Sequence, residues 1–409
     1  MRFVADFHTH SKYSRATSPQ MEVKTLVEYA KLKGVGLLGT GDFTHHLWLK
    51  ELKDGLKDSG NGFFESSGVN FILTAEISCI YSKAGKVRKI HNVIFAPSFS
   101  IVDKINAKLS GYGNLSSDGR PIIGMDAKDL VEILFGISKE IVVVPGHIWT
   151  PWFSLFGSKS GFDAIEECFE EYSKDIFALE TGLSSDPGMN WRWSKLDRFS
   201  LISNSDSHSP KKIGREANIF DTEMSYKKVM EALRTKDNKR FLSTIEFFPE
   251  EGKYHYDGHR NCNLRSSPGE TKKNKNICPV CGKPVTVGVM NRVDELADRP
   301  EGFVPENSIP YQRTVPLLEI ISDILGVGPA SKAVDREYKA IVPGLGTELE
   351  VLTEVREDEL FKKTPQKIAE GILNVRNGNI DIQPGFDGEY GKIEIVSGKD
   401  SREKQLNLF

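Results

Sequence analysis

The chain has 409 residues, 39% hydrophobic and 27% charged, with a formal net charge of −3 at pH 7. That length exceeds one ordinary core, so two or three domains are expected, and the near-neutral balance excludes a polycation that grips nucleic acid along its whole length. No apolar run reaches about 18 residues, so no membrane span is expected. The N-terminus runs straight into a strand-like segment, so no signal peptide is expected either.

The five cysteines, an odd number with three of them close together, point to a reducing cytoplasm and a metal site rather than a disulfide framework. The first apolar run, 2–7, alternates like a β-strand and ends at Asp6-Phe7-His8-Thr9-His10. On a strand, residues i and i+2 point the same way, so His8 and His10 project together from its end. The next two hundred residues repeat one phrase: apolar run, then histidine or acid, then a helical segment. Run 35–38 leads through Gly39-Thr40-Gly41 to Asp42, and 71–73 leads to Glu76. Run 141–144 leads through Pro145-Gly146 to His147, and 176–179 runs into Glu180. Run 201–202 leads through Ser203-Asn204-Ser205 to Asp206 and His208. Helical periodicity fills 21–33, 126–135, 162–172 and 226–235. Strands alternating with helices predict a parallel sheet, and closing it into a barrel gathers the strand ends on one face. His91 is the exception, because it opens its apolar run; a strand lying against the general direction explains it.

Each of these residues has a structural alternative. Glu76 pairs with Arg88, His147 is a hydrogen-bonded core histidine, Asp206 caps a turn, or Asp42 caps the helix after it. Together the alternatives fare worse, since burying several unpaired acids and imidazoles is costly for each one. Divalent cations remove that penalty, and mixed carboxylates and imidazoles suit zinc, manganese or iron. The ligands outnumber the needs of one ion. Lys12, Arg15 and Arg192 are candidates to hold phosphate, with solvated surface charge as the alternative. Trp149, Trp152, Phe153, Trp191 and Trp193 read as either a secondary core or a platform for stacking a base.

His8-Thr9-His10, Thr40-Gly41-Asp42, Glu76, His91, Pro145-Gly146-His147 and Ser205-Asp206-Ser207-His208 resemble the signature of the polymerase-and-histidinol-phosphatase (PHP) superfamily. The resemblance implies a distorted (β/α)7 barrel within an α/β chain and a phosphoesterase with up to three metals. It implies that His8, His10, Glu76 and Asp206 hold one metal, and that Glu76 bridges to a second bound by His91 and His147. His208 and Asp42 would support the third. The sequence departs from many members at Tyr13-Ser14-Arg15, where a further histidine is common, and at Asp42, where histidine often stands.

Residues 1–248 thus form the expected metal-dependent phosphoesterase barrel, and the character changes over 249–300. Between Lys253 and Arg299 lie nine lysines and arginines against five acids. His259-Arg260-Asn261-Cys262 and Cys278-Pro279-Val280-Cys281-Gly282-Lys283 make a His-x2-Cys … Cys-x2-Cys set, the spacing of a closed tetrahedral zinc site, with His255 an alternative to His259. Such a site folds a segment too small for its own core, and the surrounding charge suits a nucleic-acid backbone. Residues 301–396 form a third, helical region. Segments 317–325 and 330–341 read as helices around Gly326-Val327-Gly328-Pro329, which is either an ordinary hairpin or one whose amides meet phosphate. The acids of 348–359 would repel DNA.

The tail, 397–409, is polar but ends Gln405-Leu406-Asn407-Leu408-Phe409, which resembles the motif that binds the bacterial sliding clamp. It implies that Gln405 hydrogen-bonds while Leu406, Leu408 and Phe409 fill a groove; folding back onto its own domain is the alternative. The order of parts, barrel, zinc module and then Asn291-Arg292-Val293-Asp294-Glu295-Leu296-Ala297-Asp298-Arg299-Pro300-Glu301-Gly302, resembles the endonuclease Q family over nearly the whole chain. That resemblance implies a DNA-repair endonuclease that nicks 5′ to deoxyuridine, deoxyinosine, deoxyxanthosine and abasic sites. Its cofactors would be two or three catalytic divalent metals (zinc, manganese or magnesium) and one structural zinc. Its partners would be damaged DNA and the sliding clamp, with no membrane, and the protein would be a cytoplasmic, nucleoid-associated monomer. The competing readings are a histidinol-phosphatase-like phosphomonoesterase and a non-catalytic DNA-binding adaptor with a degenerate barrel.

Overall fold

A computed structural model of the protein describes residues 1–395. The pentapeptide Gln405–Phe409 therefore lies outside the described residues. Strand β1 (Arg2–Asp6) pairs in parallel with β2 (Val35–Gly39), and β2 with β3 (Val69–Lys83). β3 then turns back as β4 (Lys86–Ala96), antiparallel to it, and β4 carries β5 (Val142–Pro145), again antiparallel. β6 (Ala178–Glu180) and β7 (Ser200–Ile202) form a separate two-stranded parallel sheet. On the far side of β1, β8 (Ala217–Asp221) and β9 (Phe241–Glu246) add antiparallel, and β10 (Tyr311–Arg313) adds parallel to β9.

The sheet is mixed where strand–helix alternation predicts a parallel one. The departure arises at Lys83-Ala84-Gly85-Lys86. Ala84 and Gly85 have φ of 51° and 72°, and two consecutive positive φ values make the tight turn that joins antiparallel neighbours without a crossover helix. This is why His91 opens its run: β4 travels against β3, bringing the start of one strand level with the end of the other. A few hydrogen bonds tie the small β6–β7 sheet to the large one. Ile148 N donates to Glu180 O (3.1 Å) beside β5, and Ser203 N donates to the Asn218 side chain (3.0 Å) on β8.

Alternation along the strands sorts two apolar layers. Phe3, Ala5 and Phe7 of β1 join Leu37, Ile72 and Phe95 in one cluster. Leu38, Phe71, Leu73 and Ile94 face the other way, onto helices Val23–Lys33, His46–Gly55 and Ala127–Ile137. In the first helix Leu26, Val27 and Ala30 make the inward stripe, and Gly34, at φ +88°, closes it by donating to Ala30 O. The predicted helix over 162–172 is broken. It is helical at Ile165–Phe169 and then tightens to a 3-10 turn at Glu170–Lys174, with φ +48° at Glu170.

Residues 257–266 make a two-stranded ribbon, Asp257–His259 with Leu264–Ser266. Helix Val289–Leu296 fastens this region to the large sheet's core through buried Val289 and Val293 and through Arg292, which donates to Phe156 O and Phe162 O. Five helices from Leu317–Leu325 to Gln366–Arg376 build a third core around Leu317, Ile321, Ile341 and Ile372. No described helix is long and apolar enough to cross a membrane.

One ion pair locks this third core to the first. Lys33 Nζ lies 2.7 Å from Glu348 Oε2, both side chains nearly inaccessible, and Glu348 also accepts from Tyr338 Oη and Leu317 N. One of the acids expected to repel DNA is thus turned inward. Breaking a buried pair from one side leaves the other charge without a partner. Glu348→Ala should therefore lower stability by about 3–5 kcal/mol, and Glu348→Leu combined with Lys33→Met should recover most of it. Urea unfolding checks this; an unchanged midpoint in Glu348→Ala would contradict the role given to the pair.

Candidate metal centre

The backbone of β1 stays extended past Asp6. His10 N donates to Ser207 O (3.0 Å), and Thr9 bridges Ser207 in parallel, so His8 and His10 keep the strand's alternation and point together. Glu76 reaches the same place from the middle of β3, His91 from β4, His147 from the end of β5, and Asp206 and His208 from the loop after β7. His8, His10, Glu76, His91 and Asn204 are all buried.

The Glu76 carboxylate divides its two oxygens. Oε1 lies 2.5 Å from His91 Nδ1 and 3.1 Å from His147 Nε2. Oε2 lies 3.3 Å from His10 Nε2 and 3.5 Å from His8 Nε2. Asp206 Oδ1 is 3.0 Å from His10 Nε2 and 3.8 Å from His8 Nε2, and the His208 ring sits 4.5 Å from that of His10. Three overlapping triads therefore have donor atoms within 4.8 Å of one another: His8, His10, Glu76; His10, Asp206, His208; and Glu76, His91, His147. The donor set fits divalent cations, and His8 Nε2 is fully buried with no hydrogen-bond partner among the described residues.

Electrostatics agree with the geometry. Burial pushes the Glu76 pKa up, but His91, His8 and Arg120 outweigh it and hold it well below the carboxylate range. Burial pulls His8 down, yet Glu180, Glu76 and Asp206 raise it well above the ordinary imidazole value. Burial leaves His91 at about 4. Such a crowd of compensating charges is a pocket organised around charge.

Three of the expected residues have positive φ although none is glycine: Asp42 (50°), His147 (29°) and Asp206 (45°). Neighbours hold these conformations. His147 N donates to Glu180 Oε2 (2.8 Å), and at Gly182 (φ +63°) a Cβ would lie 2.4 Å from His147 Cβ, so any other residue there would displace the ring.

Asp42 stands behind His10, outside the three triads. Its Oδ1 takes His10 Nδ1 at 3.0 Å, and its Oδ2 accepts from Ser11 N, Ser11 Oγ and Ser14 Oγ. Glu180 occupies the matching place behind His8, with Oε1 at 3.0 Å from His8 Nδ1 and accepting from Asn204 Nδ2 at 2.8 Å. Sequence reasoning reached Glu180 as a strand end but gave it no role, and it missed Arg120, whose Nη1 is 3.2 Å from Glu76 Oε2. Arg88, the expected partner of Glu76, instead stacks on Phe162. Lys12 pairs with Glu51 and Glu22, Arg15 with Asp118, and Arg192 with Asp294. Trp149, Trp191 and Trp193 are core residues, whereas Trp152 is 41% exposed.

At the second cluster His259, Cys262, Cys278 and Cys281 converge within 4.8 Å. Gly282, at φ +72°, lets the chain curl so that Gly282 N donates to Cys278 O. Burial raises the Cys278 thiol, but the amides of Cys281 and Val280 outweigh it and lower its pKa. His255 is buried elsewhere, against Pro249.

A carboxylate behind a histidine fixes the tautomer and sharpens the outward nitrogen as a ligand. Glu180→Gln should weaken divalent-metal binding by about 10–100-fold with the fold intact. Isothermal titration with Mn²⁺ and circular dichroism measure both; unchanged affinity would refute the orienting role.

Residues 316–379 match the family model described as MJ0043 C-terminal domain. Over 382 residues the chain is 31% identical to the uncharacterized protein YqxK of Bacillus subtilis, covering 91% of this chain and 92% of that protein. The structure superposes with a TM-score of 0.87 on the lesion-specific endonuclease PfuEndoQ of Pyrococcus furiosus, at 31% identity over 98% of this chain and 99% of that one. It superposes with a TM-score of 0.86 on endonuclease Q bound to a 27-mer duplex substrate with an abasic lesion at the active site, at 32% identity over 97% of both chains. With a buried set of metal-ligating side chains and this likeness from end to end, the chain belongs to the endonuclease Q family of metal-dependent DNA endonucleases.

Proposed function

We propose that the protein nicks DNA on the 5′ side of deaminated bases and abasic sites, using water activated in the Glu76 cluster. The divided Glu76 carboxylate is the observation that carries this reading, because it presents one oxygen to each of two histidine pairs. Strands β1–β8 are read as a distorted (β/α)7 PHP barrel, supported by the hydrogen bonds that tie β6–β7 to β5 on one side and to β8 on the other. His8, His10, Glu76 and Asp206 hold one cation, Glu76, His91 and His147 a second, and His208 with His10 and Asp206 a third. Asp42 acts by orienting His10 instead of as a ligand, since both its oxygens are already engaged. When bound, zinc, manganese or magnesium lowers the pKa of a water and neutralises charge on the phosphoryl oxygens.

The chain's own groups do the rest. Arg120, 27% exposed beside Glu76, offers its remaining N–H groups to a phosphoryl oxygen. A cavity of about 350 Å³ adjoins the cluster, walled by Thr150, Phe153, Trp152 and Tyr254. Thr150 Oγ1 is 3.3 Å from His147 Nδ1, and the Phe153 ring is 4.9 Å from that of His91, so a base turned out of the stack would sit beside the ligands. Lesions that pair weakly cost less to extrude. The four-residue cluster at His259 is read as structural zinc, folding a basic module that meets the DNA backbone. Residues 1–248, 249–300 and 301–396 are read as barrel, zinc module and helical domain. The protein would work as a cytoplasmic, nucleoid-associated monomer.

Incubation with Mn²⁺ and labelled duplexes should give a single nick 5′ to deoxyuridine or an abasic site and none in the undamaged strand. His8→Ala or Asp206→Ala should abolish nicking while DNA affinity persists. Release of phosphate from small esters alone, or binding without a nick, would overturn the reading in favour of a phosphomonoesterase or an adaptor.

Gln405, Leu406, Leu408 and Phe409 are read as the attachment to the sliding clamp, on their resemblance to its binding motif. Deleting 405–409 should remove clamp binding in a pull-down and leave the nicking rate on naked oligonucleotides unchanged. Retained clamp binding would retire the assignment.

A further inference from the structure

Extruding a nucleotide leaves a gap in the duplex, and the two flanking base pairs lose their stacking partner. Enzymes that do this commonly fill the gap with a large side chain. We infer that Tyr390, supported by Trp152 and Tyr254, is the wedge that occupies this gap; the inference rests on the lesion-nicking reading above.

Tyr390 lies in the short connection between strands Ile380–Gln383 and Lys392–Ile395 of the C-terminal region. It is 73% exposed, the most exposed aromatic side chain among the described residues, and belongs to none of the three apolar clusters. Its loop is nevertheless held in place. Gly388 N donates to Lys253 O (3.0 Å), and a Cβ at Gly388 would lie 3.8 Å from Tyr254 Oη. The Lys253 ammonium sits 4.5 Å from the centre of the Tyr390 ring.

From there the rim continues without a break into the cavity beside the metal centre. Lys253, Tyr254 and Trp152 all line that cavity, and the Tyr254 and Trp152 rings meet edge to face at 5.8 Å. An extruded base in the cavity and a ring at its rim are the two halves of one exchange. Stacking on an aromatic face tolerates any base sequence, as a lesion enzyme requires, and the Lys253 cation suits the phosphate beside the gap.

The test compares one lesion in two settings: deoxyuridine fully paired in a duplex, and deoxyuridine in a three-nucleotide bubble between the same arms, where nothing need be extruded. Tyr390→Ala should lower kcat/KM on the paired duplex about tenfold or more. The loss on the bubble should be at least fivefold smaller, and Tyr390→Phe should restore the paired substrate. With 2-aminopurine opposite the lesion, binding of the unvaried protein should change the fluorescence and Tyr390→Ala should remove that change. Equal losses on both substrates, or no loss on the paired duplex, would overturn the wedge. If the unvaried protein nicks neither substrate, the lesion-nicking reading fails first and the wedge with it.

Discussion

The Glu76 carboxylate is the group on which the rest of the architecture depends. It is fully buried, its two oxygens face opposite pairs of histidines, and Arg120 is the one permanently charged partner beside it among the described residues. A buried carboxylate among imidazoles is costly unless charge of the right sign surrounds it. Strands β1, β4 and β5 and the loop after β7 contribute to that surrounding. β1 delivers two histidines because its extended backbone continues through the Thr9–Ser207 bridge, and the β3–β4 hairpin brings His91 to Glu76 from the opposite direction.

A second layer of carboxylates keeps this arrangement rigid. Glu180 and Asp42 each take the rear nitrogen of one histidine and are themselves tied down, Glu180 by Asn204 and the His147 amide, Asp42 by Ser11 and Ser14. The strained backbone at His147 and Asp206 is affordable only inside such a network. The outer regions are anchored by equally specific contacts. The Lys33–Glu348 pair fixes the helical region, and Arg292 fixes the region of the second cluster by reaching carbonyls of the first core. Both accessory regions are therefore held at set positions against the first core.

Much of this was legible from residue order. Period-2 alternation before His8 and His10, and apolar runs ending in acids or histidines, located every member of the three triads except His91, which opens its run, because strand ends in an α/β fold converge wherever the intervening helices pack. The Cys-x2-Cys spacing likewise placed the second cluster, since two thiolates that close can meet only across a tight turn. What was hidden depends on partners distant in sequence. Nothing local marks Glu180 or Asp42 as lying behind a histidine and outside the triads, because that depends on which side of an imidazole they occupy. Arg120 comes from a loop with no periodic signal. The parallel-sheet expectation failed at Ala84-Gly85, where two residues at positive φ replace a whole crossover helix.

The central claim is that Glu76 joins two cation sites. Crystals grown with Mn²⁺ and measured at the manganese absorption edge test it most directly. The account predicts anomalous peaks on both sides of the Glu76 carboxylate, one beside His8 and His10 and one beside His91 and His147. Crystals of nicking-competent protein that show no anomalous density at Glu76 would contradict it.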